Sequence, residues 1–468
     1  MSFVFCDTET TGTNTAFDQI LQFAAMRTDE ELNELERFNV RCRLQAHIVP
    51  SPGAMQVTSV SVAQLVNGQL PTHYVMVRAI REKLLSWSPA LFIGYNSLGF
   101  DEHLLRQAFY QTLHPPYLTN TGGNCRADVL PMIRATALFA PNAITIPVNE
   151  AGEPSFKLEA VGPANGFLYL NAHDALADVQ ATRHLCKLMS KREPDLWSCF
   201  LRFTQKATVI DHVVNESMFC FSDFYGGKPY SWLVTSIGPS PSRGTDILVF
   251  DLADDPDQLR SLSDDELVAR FAQSPKPVRR IRSNACPIIM PAEKAPDIAA
   301  AKTLGTPELE RRARSLRDDA DLRQRLTTAF ERSIGERAPS PHVEQQIYDS
   351  FISNDDGRRL ESFHSAPWEQ RLALLDDIED LRFKHLGRRL IFLERPDVLP
   401  EDLRVKMTTV LAKRLISGDG DGTWLCLQKA IQETDDLIAL AKGEQEGFFR
   451  EHRDYLVKRL AEMAVHIT

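Results

Sequence analysis

The 468-residue sequence predicts a multidomain α/β protein, and three changes of pattern along the chain carry that reading. Over residues 1–194, short apolar runs alternate with amphipathic stretches of helical period. Over residues 197–341, strand-like segments are separated by Gly, Pro and Ser turns. Over residues 343–468 the period is helical almost throughout, clearest at Leu372–Leu375 and Leu403–Leu415. Three domains with these boundaries suit a chain of this length.

Composition narrows the class. Hydrophobic residues make up 43% and charged residues 25%, as in ordinary soluble proteins. The first apolar run leads straight into Asp7, with no basic region or cleavable segment, so a cytoplasmic protein with no membrane span is expected. Eight scattered cysteines include no Cys-x-x-Cys pair, which disfavours disulfide frameworks and zinc sites and predicts reduced thiols. The formal charge of −10 does not itself suggest a nucleic-acid partner, but basic stretches occur locally.

The first element is a buried strand from Ser2, which ends in Asp7-Thr-Glu9 and breaks at Thr-Thr-Gly12. On a strand, residues i and i+2 share a face, so both carboxylates project together. An isolated Asp-x-Glu is most often a solvated strand end; the alternative is a hard divalent cation that relieves their repulsion. Further strands are expected over Asp18–Asp29 and Phe38–Val49, a short helix near Val57 and a helix over Tyr74–Leu85. Ala90–Asn96 reads as a buried strand, followed by a short loop and a helix over Asp101–Tyr110. Asp101 suits the start of that helix as an ordinary cap, yet the strand-loop-helix corner also sets it where α/β sheets hold ligands. Asp128–Arg134 is expected to be helical, 141–152 a loop, and Ser155 the start of another helix. The amphipathic stretch Asn171–Met189 contains His173 and Asp178. On one continuous helix these two lie about 140° apart. To face one site, His173 must precede the helix while Asp178 sits in an early turn.

Together these fragments form a constellation with a chemistry. Asp7, Glu9, Asp101 and Asp178 have the number and kind of ligands that two divalent ions need for in-line displacement at phosphorus. His173, with an ordinary pKa near ~6.5, suits the general base. Asp7 is the best bridge between the ions, with Glu9 and Asp178 completing one site and Asp101 serving the outer shell or the second ion.

Asp7-Thr-Glu9-Thr-Thr-Gly12, Tyr95-Asn96 with Phe100-Asp101, and His173-x4-Asp178 together resemble the motifs of the DEDDh exonuclease family. Within it the chain is similar to the bacterial exonuclease I family. The likeness runs through Ser155–Glu159 and beyond the nuclease region, through Val249–Ala253, Asn284–Pro287 and Gln346–Phe351. It implies a ribonuclease H-like mixed-sheet exonuclease domain, an SH3-like domain and a C-terminal all-helical domain. It also implies a Mg²⁺-dependent 3′→5′ exonuclease on single-stranded DNA, with two ions and Mn²⁺ as a substitute. The enzyme would act processively, release 5′-mononucleotides, and serve mismatch repair and recombination. The implied partners are single-stranded DNA and the acidic tail of single-stranded DNA-binding protein; the implied state is a monomer.

Expected DNA contacts are Glu9, Thr10, Asn96, Arg106, Tyr117, Arg134, Lys157, Lys206, Arg280 and Arg282. Strand alternation brings Arg280 and Arg282 to one face of the basic segment 276–283, which reads equally as a charged edge strand. The cluster Arg382–Arg389 reads as a solvated face or a wall of the DNA path. Two departures stand out: Lys157 occupies a position that usually carries Arg, replacing a bidentate phosphate fork with a point charge. The segment 120–124 lacks the tryptophans of enterobacterial relatives. Gly418-Asp-Gly-Asp-Gly422 lacks the further ligands of a calcium loop and reads as a turn between helices.

Overall fold

The computed structural model describes residues 2–169, 174–295, 298–335, 338–417 and 422–467. The expected positions of His173 before its helix and of the 418–421 turn lie outside the described residues.

The N-terminal sheet is built from β1 (Ser2–Thr10), β2 (Ile20–Thr28), β3 (Glu34–Arg41), β4 (Ala90–Gly94) and β5 (Cys125–Asp128), ordered β3-β2-β1-β4-β5. β1 to β3 are antiparallel; β4 joins β1, and β5 joins β4, in parallel. This is the mixed sheet expected of a ribonuclease H-like domain. Alternation along β1 divides the two cores. Val4 packs with Ile80 and Leu84 of helix His73–Trp87 and with Leu104 of helix Asp101–Gln111. Phe3 and Phe5 pack on the opposite side, with Ile133 of helix Val129–Phe139 and Val179 of helix Ala175–Arg192. Phe5 is fully buried, and Phe5→Ala would cost about 3–5 kcal/mol.

The second sheet comprises β6 (Phe219–Tyr225), β7 (Lys228–Pro239), β8 (Asp246–Asp251), β9 (Val278–Arg282) and β10 (Ile288–Pro291). All its pairings are antiparallel, in the order β10-β6-β7-β8-β9. Helices Thr306–Asp318 and Ala320–Ile334 cover one face, and Leu316 and Leu326 join the core that also holds Phe3 and Phe5. The C-terminal helices return to the N-terminal unit. Gln107 Nε2 donates to the Glu344 carbonyl at 2.8 Å, Asn14 Nδ2 to the Thr423 carbonyl at 2.7 Å, and Arg459 Nη1 to the Ile48 carbonyl at 2.8 Å.

Several boundaries differ from the expectations. The third strand is Glu34–Arg41, not Phe38–Val49, because β2 holds its partner through the Gln22–Arg41 pairing and the chain then turns into a loop. Asp128 ends β5 and caps the helix that starts at Val129. The next helix starts at Leu158 with Lys157 as its cap residue, and the helix expected from Asn171 starts at Ala175 with Asp174 as its cap. Strands β5, β6 and β10 are not among those expected; they are short or aromatic-rich and take their strand form from sheet neighbours. All eight cysteines are free, as expected. Among the described residues, no helix is long and apolar enough to cross a membrane.

Candidate active site

The carboxylates converge because β1 outlasts its neighbour. β4 pairs with Ser2 through Phe5 only, so Asp7 and Glu9 lie beyond its end, held by β2 opposite Ala24 and Gln22. They share the face of Phe3 and Phe5, the side packed by helix Ala175–Arg192. That helix carries Asp178 in its first turn, and ligand oxygens of Asp7, Glu9 and Asp178 all lie within 4.8 Å of one another. Its start is pinned to the sheet by Asp174. One Asp174 oxygen caps Leu176 N at 3.0 Å, and the other accepts from Arg41 Nη2 at 2.7 Å and Gln22 Nε2 at 3.1 Å.

Asp101 arrives from the other side of β1. Its carboxylate accepts the Thr8 hydroxyl at 2.5 Å and the Thr8 amide at 3.1 Å, outside the three-carboxylate group. The loop that delivers it needs special backbone. A side chain at Gly94 would lie 2.5 Å from Ser97 Cβ and 2.9 Å from the Cys6 carbonyl, and Asn96 takes φ 59°. Asp128 ties this loop down by accepting Asn96 N at 2.8 Å and Leu98 N at 3.1 Å. Glu102 anchors the following turn. Its Oε1 accepts Arg106 Nε and Arg126 Nη1, both at 2.9 Å, and Thr119 Oγ1 at 2.6 Å. Arg126 also reaches the second sheet's region through Nη2, at 3.0 Å from the Asn284 carbonyl.

The electrostatics are those of an acidic nest. Burial, then Asp101, Asp178 and Glu9, push Asp7 well above the usual carboxylate range. Burial and the neighbouring Asp178 and Asp101 push Glu9 up to about 8, against the pull of Arg41. Burial pushes Asp101 up to about 7, with the Thr8 hydrogen bond opposing it. Burial raises the Tyr169 phenol, and the Asp178 carboxylate adds to it. Clustered hard oxygen donors that repel one another fit a divalent cation, which would convert their repulsion into attraction.

One cleft opens at Glu9 and a second lies at the Asn96 loop. Glu9 and Thr10 open toward Phe100, Trp424 and Lys429. At the Asn96 loop, Asn96, Arg134, Arg280 and Arg282 line one cleft with Phe224 and Asp223 of β6. Four of the residues expected to contact DNA are therefore brought together by the second sheet. Arg134 lies over both Phe156, at 5.5 Å, and Phe224, at 5.8 Å. Lys157 is exposed, 3.7 Å from Glu159. Arg106, Tyr117 and Lys206 are not among that cleft's lining. Arg106 is drawn inward by Glu102 and covers the Tyr117 ring at 5.3 Å, with Tyr117 edge-on to exposed Phe351. Lys206 is exposed at the start of helix Lys206–Asn215. The cluster Arg382–Arg389 is largely a clamp: Arg382 pairs with Asp380, and Arg389 with buried Glu344. Thr8, Glu102, Arg126 and Asp174 are the supporting residues that sequence reasoning missed. Only the acidic pairs beside Asp101 and before Asp178 hinted at two of them.

A family model described as Exonuclease matches residues 4–185, and one described as Exonuclease I SH3-like domain matches residues 204–332. Exodeoxyribonuclease I of Escherichia coli strain K12 is 30% identical over 372 residues, covering 76% of this chain and 77% of that protein. The Haemophilus influenzae exodeoxyribonuclease I is 29% identical over 390 residues, covering 79% and 81%. The crystal structure of E. coli exonuclease I in complex with a dT13 oligonucleotide matches with a TM-score of 0.83 at 25% identity, over 98% of this chain and 99% of that one. With the mixed sheet, the second antiparallel sheet and the helical remainder all in the same arrangement, the chain belongs to the exodeoxyribonuclease I family.

Proposed function

We propose that this protein is a Mg²⁺-dependent exonuclease that degrades single-stranded DNA processively from the 3′ end to 5′-mononucleotides, in DNA repair and recombination. The observation that carries the proposal is the meeting of Asp7, Glu9 and Asp178 at the end of β1, with Asp101 held beside them by Thr8. The E. coli exonuclease I–DNA complex has been solved in a zinc-ion-bound form, which supports a metal here as well. The all-oxygen donor set favours Mg²⁺ or Mn²⁺.

In this reading Asp7, Glu9 and Asp178 would hold one divalent ion, and Asp7 and Asp101 would serve a second. When bound, the ions supply positive charge that offsets the charge building on phosphorus and on the departing oxygen. His173 takes the proton of the attacking water. Asn96, Arg134, Arg280 and Arg282 hold the strand by its phosphates, which makes binding independent of sequence and sensitive to salt. Lys157, Arg106, Tyr117, Lys206 and Thr10 complete the proposed contacts. We assign 1–194 to the exonuclease unit, 197–341 to the SH3-like unit and 343–468 to the helical unit. The acidic tail of single-stranded DNA-binding protein is the proposed partner. A groove between helices Leu381–Glu394 and Glu401–Ser417 offers it Lys384, Arg388 and Lys406, with no carboxylate among the described residues that line it.

The test uses single-stranded DNA labelled at either end, with matching RNA and duplex, with and without Mg²⁺, for wild type and Asp7→Ala. Metal-dependent mononucleotide release from the 3′ end of DNA, lost in the variant, is the expected result. Preference for RNA would keep the chemistry and change the substrate. Tight DNA binding without cleavage would leave an end-binding module as the better account.

A further inference from the structure

The hairpin joining β6 to β7 carries a row of aromatic side chains that the chemistry above does not use. Its turn is Gly226-Gly227, both with positive φ (57° and 77°), the backbone that a tight two-residue hairpin requires. Register puts Phe221 opposite Trp232, Asp223 opposite Tyr230 and Tyr225 opposite Lys228, so all six share one face. Lower on that face Phe221 is buried in a core with Val234 and Val249. Toward the turn the face opens to solvent: Tyr225 is 56% exposed and Tyr230 44%. The Tyr230 and Trp232 rings lie 6.1 Å apart and nearly parallel (9°), and Tyr225 stands 5.8 Å from Tyr230. Arg279 of β9 lies over the Trp232 ring at 3.5 Å.

This row meets the cleft of Arg134, Arg280 and Arg282 at Asp223. The Tyr225 hydroxyl donates to Asp223 at 2.7 Å, and Asp223 lines the cleft together with Arg280 and Arg282. The opposite face of the same hairpin places Phe224 beneath Arg134. Exposed rings beside Arg279 and Lys228, joined through Asp223 to a cationic cleft, have the chemistry of a platform for unpaired bases. A ladder serving only to stabilise the hairpin would need no such continuity.

We infer that Tyr225, Tyr230 and Trp232 form a base-stacking platform for the stretch of single-stranded DNA lying 5′ of the end held in the cleft. The inference rests on the single-stranded DNA reading proposed above. Stacking on aromatic faces is indifferent to base identity, as required of an enzyme that must traverse any sequence.

The test measures binding to the full chain in EDTA at fixed salt, with three strands. One is about 30 nucleotides long, one has the same length but is abasic upstream of its last eight or so residues, and one is only about eight long. The short strand falls within, and the long strands exceed, the roughly 4–16 nucleotides that a single-strand-binding fold covers. For Tyr225→Ala/Tyr230→Ala, Kd for the long normal strand should weaken at least about fivefold, the equivalent of one lost stacking contact. The long abasic strand and the short strand should keep their wild-type Kd. Tyr225→Phe/Tyr230→Phe should stay within about twofold of wild type, because the ring and not the hydroxyl does the stacking. The slope of log Kd against log salt should not change, since no phosphate contact is removed. Unchanged affinity of the Ala variant for the long normal strand overturns the inference. So does an equal loss on the abasic or short strand. Failure of the wild type to bind single-stranded DNA at all would instead overturn the proposed function.

Discussion

Removing one carboxylate from the acidic group should stabilise the metal-free protein, although it should abolish metal binding. At the outer separation of 4.8 Å, two full charges repel by about 3.5 kcal/mol at an effective dielectric of ~20. The group escapes part of this by holding protons, as the raised pKa values of Asp7, Glu9 and Asp101 express. Asp7→Asn should therefore gain a fraction of the pairwise figure, about 1–3 kcal/mol at pH 8. For a folding unit of 150–250 residues that corresponds to a Tm rise of roughly 2–12 °C.

The pH dependence follows from the direction of the shifts. A carboxyl whose folded pKa is raised contributes its stability in full below its unfolded pKa near ~4, and loses it as pH rises through the folded value. That folded value is about 8 for Glu9 and about 7 for Asp101. Wild type in EDTA should lose stability between about pH 4.5 and 8. The Asp7→Asn advantage should be present at pH 8 and nearly absent at pH 5. Mg²⁺ should raise the wild-type Tm most at pH 8 and leave the variant almost unmoved. Differential scanning fluorimetry at the two pH values, in EDTA and in Mg²⁺, tests all of this. A variant no more stable than wild type at pH 8 in EDTA, or equally stabilised at pH 5, would refute the reasoning.

Glu102→Gln leaves Arg106 and Arg126 buried without their carboxylate, at a cost of about 3–5 kcal/mol; urea unfolding that shows a loss below about 1 kcal/mol would contradict the clamp. Burial works against ionisation of Glu344, but Arg389 and Arg414 outweigh it and hold its carboxyl well below the usual range. The stability lost in Glu344→Gln should be full above about pH 4.5 and shrink as pH falls below it, which denaturant curves at neutral and acid pH will show. Lys157→Arg restores a planar fork at an exposed position and should lower KM for single-stranded DNA a few-fold with kcat unchanged. A change in kcat would place residue 157 nearer the reacting phosphate than this.

The sequence by itself determined what local pattern and residue chemistry can determine. The apolar run into Asp7 and Glu9, the strand-loop-helix corner at Asp101 and the amphipathic helix carrying Asp178 are each specified by a few neighbouring residues. Their periods of 2 and 3.6 say which faces they share. Periodicity also marked β9, with Arg280 and Arg282. Where a segment takes its form from a distant partner, the local pattern misled: β3 is fixed by its register with β2, and β5 is a strand only because β4 lies beside it. Tertiary structure alone decided which charges are occupied and which are available. Arg106, expected to reach DNA, is engaged together with Arg126 by Glu102, whereas Arg134 from helix Val129–Phe139 and Arg280 and Arg282 from β9 line one cleft. It also decided that Asp101 stands outside the three-carboxylate group, because Thr8, one residue along β1 and therefore on the opposite face, holds it there.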